Sequence, residues 1–467
     1  MDNKFTRRSF LYSVSMLAAG TMMPIPTDAF GLKKKLRIVL VGTGVRGTSF
    51  WGKRLVEQYP ELLEFVGLSD INPGRLEYAK TFMGVSCPVF TDFDEMISQT
   101  KPDLVIVTTK DSNHHEFIIK GLEADIDVLT EKPLTTDEKK TQAILNAEKK
   151  SKKNLIVGFN YRWSPYMTKV KELLHDNSIG KITSVDFHWY LNTHHGASYF
   201  RRWHGLREEG GTLWVHKATH HFDLLNWWLD SDPEEVFAYG DLEHYGKNGP
   251  FRGDKCRTCP HKTECKYYWD ITKSEHDMKL YVENEEHDGY IRDNCVYREE
   301  IDIYDKMSAQ IKYANNAVVN YSLTTYSPYE GWKIAFNGQE GRIEAWLDIP
   351  HMKANTNLSQ EELHAAEMDQ NKKEEMLYEP LVVHKNWGDF KIIQVGSERG
   401  GHGGGDKRLH DKIFANPDAA DPLKHSAGLR DGVMSVLVGI AARKSIESNR
   451  PVKIADLSSI KPSADRS

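Results

Sequence analysis

The chain has 467 residues, of which 39% are hydrophobic and 27% are charged. This composition is ordinary for folded proteins and excludes a disordered or fibrous chain, while the length allows two or three domains. The 61 basic and 67 acidic residues give a formal net charge of −6 and are spread along the sequence. Because there is no basic block that could neutralise phosphates, we expect no nucleic-acid partner.

The first 30 residues have the pattern of an export signal. The order Thr6-Arg7-Arg8-Ser9-Phe10-Leu11 is typical of a twin-arginine signal, and a Met- and Ala-rich stretch follows it. This stretch is shorter than the ~20 residues that span a bilayer, and no later segment qualifies. We expect residues 1–30 to be removed and the mature protein to be exported to the periplasm without a membrane span. The alternative is a chance arginine pair ahead of a buried helix.

Strand-like and helix-like segments alternate over residues 34–160. The strand-like runs are apolar and β-branched, namely "LRIVLVG", "EFVGLSD", "DLVIVTT", "DVLTEKP" and "NLIVGFN". Such runs are typical of strands buried on both faces of a parallel sheet. They predict an α/β fold whose first domain is a doubly wound Rossmann sheet.

The pattern changes after Asn160. Alternating, aromatic-rich segments such as "TSVDFHWYL" and "AQIKYANNAVVNYSLTTY" predict an α+β domain over residues 161–460 with a large, mainly antiparallel sheet. One face of this sheet is expected to be open, which is compatible with a homo-oligomer. The polar, Cys-bearing region 247–295 is interpreted as an insertion. Near the end, "GLRDGVMSVLVGIAARKSIESNRPVKI" predicts a helix followed by a short strand.

A nucleotide-binding turn follows the first strand. Gly42, Gly44 and Gly47 fit G-x-G-x-x-G, and with Val45 and Arg46 they place backbone amides at a helix N-terminus, where a pyrophosphate binds. Asp70 ends the second strand, where a carboxylate accepts hydrogen bonds from the ribose hydroxyls and repels a 2′-phosphate. We therefore expect NAD rather than NADP. The alternative is that the glycines serve only a tight turn.

Three further segments resemble those of a known family: Glu131-Lys132-Pro133, "TTKDSNHHEF" and "EEGGTLWVHKATHHFDLLNWWLD". Together they resemble the glucose-fructose oxidoreductase, inositol dehydrogenase and MocA (Gfo/Idh/MocA) family. The resemblance covers nearly all of the chain after the export signal, apart from the insertion and about residues 351–389.

The resemblance implies roles for individual residues. It places Lys132, beside Glu131, at the nicotinamide and the reacting sugar hydroxyl, and Asp111 and His114 at the cofactor. It also implies that Asn160 and Arg162, in "GFNYRW", lie near the cofactor and the substrate.

A histidine cluster marks the second domain. His216 and His220 are four residues apart, so they share one face of a helix, with Lys217 and His221 beside them. The cluster can bind a metal, exchange protons or belong to a buried polar network, and the adjoining glycines and nucleotide domain favour a catalytic site. The resemblance puts His220 on the family's histidine and His216 where an aspartate is common. The sequence therefore does not identify the carboxylate that orients this group.

Further candidates for contacts with substrate hydroxyls, besides Lys217, are Arg201, Arg202, Trp203 and His204. The segment "GGHGGGD" is interpreted first as a surface loop, with hydrogen bonds from His402 and Asp406 to the substrate as the alternative.

Four cysteines fall in or at the end of the insertion. Cys256, Cys259, Cys265 and Cys295 have spacings that suit either a tetrahedral zinc site or two disulfides, and the sequence does not decide between them. Cys87, in the nucleotide domain, is expected to be a buried free thiol.

The sequence predicts an NAD-dependent oxidoreductase acting on a secondary hydroxyl of a sugar or glycoside, with Lys132 or His220 as the base and His216 assisting. Export suggests a tightly held cofactor, because the twin-arginine route carries folded proteins. One alternative is a redox-neutral NAD-dependent glycoside hydrolase or lyase that works through a transient keto-sugar. A second is a non-catalytic sugar-binding protein on the same fold.

Overall fold

The computed structural model describes residues 34–349, 377–397 and 401–466. The predicted export signal at residues 1–30 lies outside the described residues. Within the described ranges, no helix is both long and apolar enough to cross a membrane.

The first sheet has six parallel strands in the order β3-β2-β1-β4-β5-β6. The strands are β1 (Leu36–Val41), β2 (Leu63–Ser69), β3 (Val89–Phe90), β4 (Leu104–Val107), β5 (Asp127–Thr130) and β6 (Leu155–Val157). All four residues of β4 are buried, as expected for a strand covered by helices on both faces. The predicted doubly wound sheet is confirmed.

In the part of the chain that the structure describes, the second sheet has nine strands in the order β14-β13-β12-β11-β7-β10-β9-β8-β15. The strands are β7 (Ile182–Asn192), β8 (Pro233–Asp241), β9 (Lys306–Tyr313), β10 (Val318–Ser327), β11 (Gly331–Gly338), β12 (Gly341–Leu347), β13 (Leu377–Lys385), β14 (Phe390–Ser397) and β15 (Val452–Lys453). Only β7 and β10 pair in parallel. Exposed and buried residues alternate along β9, so one face of the sheet is open. The predicted antiparallel open sheet is confirmed.

The helices of the nucleotide domain and the segment that follows it are α1 (Arg46–Lys53), α2 (Arg54–Gln58), α3 (Pro73–Met83), α4 (Phe93–Thr100), α5 (His114–Glu123), α6 (Glu138–Glu148) and α7 (Pro165–His175). Those further on are α8 (Thr193–Arg201), α9 (Arg207–Gly210), α10 (Leu213–His216), α11 (Thr219–Trp228), α12 (Glu275–Leu280), α13 (Glu285–Asp288), α14 (Gly405–His410) and α15 (Leu429–Ser448).

The start of α3 shows how the local sequence sets an element near the cofactor site. Asn72 precedes Pro73, and its side chain accepts a hydrogen bond of 3.0 Å from the Arg75 amide. Asparagine at the N-cap and proline in the first turn are the residues that best start a helix. Gly84 ends the helix in a left-handed conformation with φ of 71°.

The two sheets share one hydrophobic core. A single cluster of buried residues includes Val105 of β4, Phe187 of β7 and Leu437 of α15. A second cluster, on the other face of the parallel sheet, joins Trp51 to Leu409 of α14. The chain after β14 therefore returns to the nucleotide domain. The boundaries at residues 34–160 and 161–460 stay a prediction.

Candidate active site and cofactor site

The glycine turn is packed too tightly for side chains. Gly42 has φ of 91°, and a Cβ atom there would lie 2.6 Å from the backbone carbon of Thr108. A Cβ atom on Gly47 would meet the carbonyl oxygen of Gly42. Since α1 begins at Arg46, the amides of this turn stand at a helix N-terminus, which suits a pyrophosphate.

Asp70 is fixed at the end of β2. Its carboxylate accepts hydrogen bonds from the amides of Thr43 at 2.7 Å and Asn72 at 2.9 Å, and it pairs with Arg75 at 3.1 Å. This carboxylate is therefore held beside the glycine turn, where the sequence predicts a ribose contact.

Glu131 joins the E-K-P segment to α1. Its Oε1 accepts hydrogen bonds from Nε of Arg46 at 2.5 Å and the Trp51 indole at 2.8 Å. Burial alone would raise the pKa of Glu131, but the charges of Arg46 and Lys132 hold that pKa below its usual value. Glu131 is thus an ionised anchor that sets the position of Lys132.

His114 supports the same segment from the other side. One ring nitrogen lies 2.8 Å from the carbonyl oxygen of Pro133, and the other lies 3.2 Å from that of Thr109. The buried ring therefore connects two backbone segments of the predicted cofactor site, and the structure places it as a support for the Lys132 loop.

Lys132 follows β5 of the first sheet and reaches α10 of the second domain. Its Nζ donates to the carbonyl oxygen of His216 at 3.4 Å. Burial lowers the pKa of Lys132 to about 8, and the cation of Lys217 adds to this against the attraction of Glu131 and Asp111. A lysine with such a pKa can exchange a proton near neutral pH.

Asp111 supplies the carboxylate that the sequence could not identify. Its Oδ2 lies 2.6 Å from Nδ1 of His216, and both side chains are largely buried. Burial raises the pKa of Asp111, while Lys132 opposes that rise. The carboxylate that orients His216 therefore comes from the nucleotide domain, 105 residues away.

Aromatic side chains pack against the imidazole of His216. The His204 ring lies 4.1 Å from the His216 ring, and Trp203 stacks on His204 at 3.6 Å between centroids. Burial lowers the pKa of His204 and of His216, so both rings are neutral near pH 7. The structure brings Trp203 and His204 to the histidine cluster, and their contact with the substrate stays a prediction.

His220 is close enough to Lys132 to be affected by its charge. Its ring packs 4.7 Å from Tyr161 and 6.0 Å from His402, between centroids. Among the described residues, no partner hydrogen-bonds its buried Nδ1. Burial, then the charge of Lys132, lowers the pKa of His220. His220 is therefore a neutral ring with a buried nitrogen that makes no hydrogen bond to the described residues.

Two family models match this chain. The oxidoreductase-family NAD-binding Rossmann fold matches residues 36–159, and the C-terminal alpha/beta domain of the oxidoreductase family matches residues 171–454. The chain belongs to the Gfo/Idh/MocA oxidoreductase family. It is an NAD(P)-dependent oxidoreductase with an NAD-binding Rossmann domain.

Two relatives and two solved structures are similar to this chain over different shares of its length. The Bacillus subtilis protein YteT is 38% identical over 437 residues, covering 90% of this chain and 98% of YteT. Myo-inositol 2-dehydrogenase from Thermotoga maritima is 30% identical over 190 residues, covering 39% of this chain and 53% of that protein. The WlbA dehydrogenase from Bordetella pertussis, solved with NADH and UDP-GlcNAcA, has a TM-score of 0.60 at 17% identity over 90% of this chain and 99% of that one. Levoglucosan dehydrogenase, solved with NADH and levoglucosan, has a TM-score of 0.60 at 17% identity, over 90% and 100%.

The loop that carries His402 and Asp406 packs against Asn160 and Arg54. The surface-loop interpretation of "GGHGGGD" is wrong for Asp406, which is only 3% exposed. Asp406 accepts a hydrogen bond of 2.7 Å from Asn160 and pairs with Arg54 at 3.2 Å. His402 lies 2.8 Å from the Asn160 amide nitrogen. The loop is drawn inward because a buried carboxylate needs partners of this kind.

Arg162 is buried in a network of internal hydrogen bonds and ion pairs. Its Nε and Nη2 pair with Asp223 at 2.8 Å and 2.5 Å, Nη2 also pairs with Asp431, and Nη1 donates to the carbonyl oxygen of Lys424. Every guanidinium nitrogen thus has a partner inside the protein. The expectation that Arg162 contacts substrate is corrected, because its buried charge is neutralised by two carboxylates.

Arg201 is also placed differently from the expectation. Its guanidinium donates to the carbonyl oxygen of Tyr267 in the insertion and lies 5.9 Å from the Trp269 ring. Lys217, in contrast, lies in the site, with its ammonium 5.2 Å from the ring centre of Trp189. Of these two candidates, only Lys217 stays beside Lys132.

Arg202, a predicted contact for substrate hydroxyls, hydrogen-bonds the carbonyl of Ser198, and burial together with Arg292 lowers its pKa to about 10. Sequence reasoning missed two side chains near this site. Tyr199 contacts the His216 ring at 5.4 Å between centroids. Tyr281, from the insertion, accepts a hydrogen bond from the Val45 amide. The position of Tyr199 near Trp203 could have indicated it, and no signal in the sequence connects Tyr281 to the glycine turn.

The four cysteines of the insertion region gather in one place. Cys256, Cys259, Cys265 and Cys295 line a cavity of about 20 Å³. None of them is in a disulfide, and the described ranges contain no group of three or more His, Cys, Asp or Glu residues that could hold a metal ion. The choice between zinc and disulfides therefore stays open. Cys87 is buried and free, as predicted.

Proposed function

We propose that this protein oxidises a secondary hydroxyl of a sugar or glycoside with a tightly held NAD. The observation that carries the proposal is the position of Lys132. This lysine is partly desolvated, donates to the carbonyl oxygen of His216 in the Asp111–His216 pair, and carries a charge that lowers the pKa of His220.

The residues present fit NAD. The amides of the glycine turn would hold the pyrophosphate, and Asp70 would hold the ribose hydroxyls. Arg75 is shared between Asp70 and Asp288, so two carboxylates offset its charge. This balance favours NAD, because a 2′-phosphate would meet a net negative charge. When bound, the nicotinamide accepts the hydride from the sugar carbon.

Lys132 is assigned the proton from the sugar hydroxyl. Its neutral form accepts that proton as the carbon becomes a carbonyl. Asp111 holds the His216 imidazole in one orientation, and the backbone carbonyl oxygen of His216 accepts a hydrogen bond from the Lys132 ammonium. His220 offers a second acceptor, since its Nδ1 makes no hydrogen bond to the described residues.

Structural neighbours support the substrate class. Levoglucosan dehydrogenase and the WlbA dehydrogenase were solved with a sugar or a sugar nucleotide beside NADH. Their sequence identity to this chain is 17%, so we take from them only the general class of carbohydrate substrates.

The substrate proposal is tested by Lys132→Ala, with the exposed Lys139→Ala as the matched control. Lys132→Ala should abolish NADH formation, or isotope exchange at a sugar carbon, across a panel of sugars and glycosides. Unchanged activity in this variant would contradict the proposal. Release of an aglycone without net NADH would favour the redox-neutral glycosidase instead.

Export of the loaded protein is the second part of the proposal. The twin-arginine pattern of residues 6–11 supports export in the folded state, with NAD already bound. Protein purified without added nucleotide should release close to one NAD per chain when denatured. Replacement of Arg7 and Arg8 by lysine should retain the protein in the cytoplasm, and export of that variant would contradict this part.

A further inference from the structure

Part of the insertion lies directly on the cofactor site. Residues 275–288, which we call the strap, comprise α12, the turn Val282–Asn284 and α13. The strap contacts both segments of the Rossmann domain that are expected to bind NAD: the glycine turn and the region that follows β2. Three separate groups of contacts hold it there.

The first contact is at the glycine turn. The Tyr281 hydroxyl oxygen accepts a hydrogen bond of 2.8 Å from the Val45 amide. The tyrosine ring is buried, and the guanidinium of Arg292 lies 4.8 Å from its centre. A Cβ atom on Gly44 would lie 3.5 Å from the hydroxyl oxygen, so the two segments are in van der Waals contact. Tyr281 thus occupies an amide that the sequence assigns to the pyrophosphate.

The second group of contacts is at the ribose end. The Asn72 side chain donates to the carbonyl oxygen of Asn284 at 2.9 Å. Asp288 forms an ion pair with Arg75, which also pairs with the ribose-binding carboxylate. Gly74 meets the Asn284 side chain so closely that a Cβ atom there would overlap it. The strap therefore fits the surface beside Asp70 and is anchored to it by charge.

The third contact is on α3. The Tyr78 hydroxyl lies 2.8 Å from Nδ1 of His276, and the His276 ring packs 4.5 Å from Phe82, between centroids. This anchor is outside the expected nucleotide contacts. It can hold the strap without touching the cofactor, which makes it suitable for a test.

We propose that the strap is a gate over the dinucleotide site and that its opening sets the rate at which NAD enters and leaves. The inference deepens the proposed function, since it names the part of the chain that retains the cofactor. Its basis is that one continuous segment bridges the glycine turn, the ribose end and α3. A pyrophosphate oxygen can reach the Val45 amide only after the Tyr281 hydroxyl leaves it.

A gate is distinguished from a direct cofactor contact by its kinetics. A weaker anchor on α3 should raise the rates of NAD entry and release by the same factor and leave Kd unchanged, because the Tyr78–His276 contact can form whether the site is empty or filled. Loss of a direct contact would raise the release rate and weaken binding together. The anchors also make hydrogen exchange in the strap a second readout, since bound NAD should slow exchange there.

The test compares Tyr78→Phe, His276→Phe and their combination with two matched controls in the full chain, because the Tyr78–His276 contact lies outside the expected nucleotide contacts. The controls are Tyr267→Phe, in the insertion but hydrogen-bonded to His244, and Glu286→Gln, an exposed carboxylate of α13. Radiolabelled NAD is bound to each protein and chased with excess unlabelled NAD. Each anchor variant should release the label about five- to tenfold faster, as expected for the loss of one hydrogen bond. The controls should match the wild type.

The outcomes separate the two proposals. Unchanged release rates in the double variant, or faster release with weaker Kd, would overturn the gate while leaving the oxidoreductase intact. Hydrogen exchange in residues 275–288 that is insensitive to NAD in the wild type would also overturn it, without any variant. A wild-type protein that binds no labelled NAD would contradict the proposed function together with the gate.

Discussion

Lys132 is surrounded by charges of both signs, and burial dominates the balance. Because its pKa is lowered to about 8, the neutral form that accepts a proton becomes abundant as the pH rises through about 8. The rate of sugar oxidation should therefore rise with pH through this value and then level off. A pH profile of kcat checks this prediction. Lys132→Arg should lose the rising limb, since arginine stays protonated. A wild-type rate that falls over pH 7–9 would contradict the role of Lys132 as the base.

Asp111 is expected to act through His216. Asp111→Asn removes the charge that faces the imidazole at 2.6 Å, so kcat should fall about ten- to a hundredfold. Bound NAD should stay at the wild-type level, because the carboxylate contacts His216. Steady-state kinetics and the NAD content of the purified protein provide the measurement. The surface variant Asp94→Asn is the control. Loss of NAD in Asp111→Asn would instead support the cofactor role that the resemblance implies.

At the scale of elements, α14 and the loop before it complete the site. Asp406 links this loop to Asn160 and to Arg54 of α2. Asp406→Ala leaves Arg54 without its buried partner, which should reduce the free energy of unfolding by about 3 kcal/mol. Thermal unfolding should show a lower Tm than in the wild type, and the exposed Asp418→Ala should not. An unchanged Tm for Asp406→Ala would show that the loop is held by other contacts.

The elements themselves could be predicted because their signals are local. Apolar runs identified the strands of the first sheet, and alternation identified the open face of the second. The glycine spacing identified the nucleotide-binding turn, and the family resemblance identified Lys132. The pairing of Asp111 with His216 and the return of Asp406 to Asn160 could not be found this way. They join residues 105 and 246 positions apart, and no periodic pattern encodes such contacts.

For Arg162, in contrast, the sequence predicts a contact that the structure does not support. Its position in "GFNYRW" and its charge suggest a substrate contact, yet Asp223 and Asp431 neutralise it inside the protein. The local sequence is the same whether an arginine is buried between two carboxylates or is exposed in a substrate site. Only the placement of α11 and α15 around it distinguishes the two.

At the scale of the whole molecule, the hairpin of β13 and β14 carries an exposed apolar group. Phe390 is 62% exposed and Ile392, two residues further on the same face of β14, is 53% exposed. Exposed apolar clusters of this kind are typical of association surfaces. We expect the open sheet to form a homo-oligomer through this end. Phe390→Lys combined with Ile392→Lys should shift the mass measured by light scattering towards the monomer, while the exposed Tyr239→Lys on β8 serves as the control. A monomeric wild type would contradict this expectation.

The core that both sheets share has a consequence for how the molecule moves. In a protein with separate cores, two lobes can swing about a linker and melt one after the other. Here Val105, Phe187 and Leu437 belong to a single buried cluster, so swinging the lobes apart would expose the centre of the protein to water. Calorimetry should therefore record one cooperative transition for the two sheets. The route to Lys132 must then open through the displacement of surface segments, with the two lobes remaining fused.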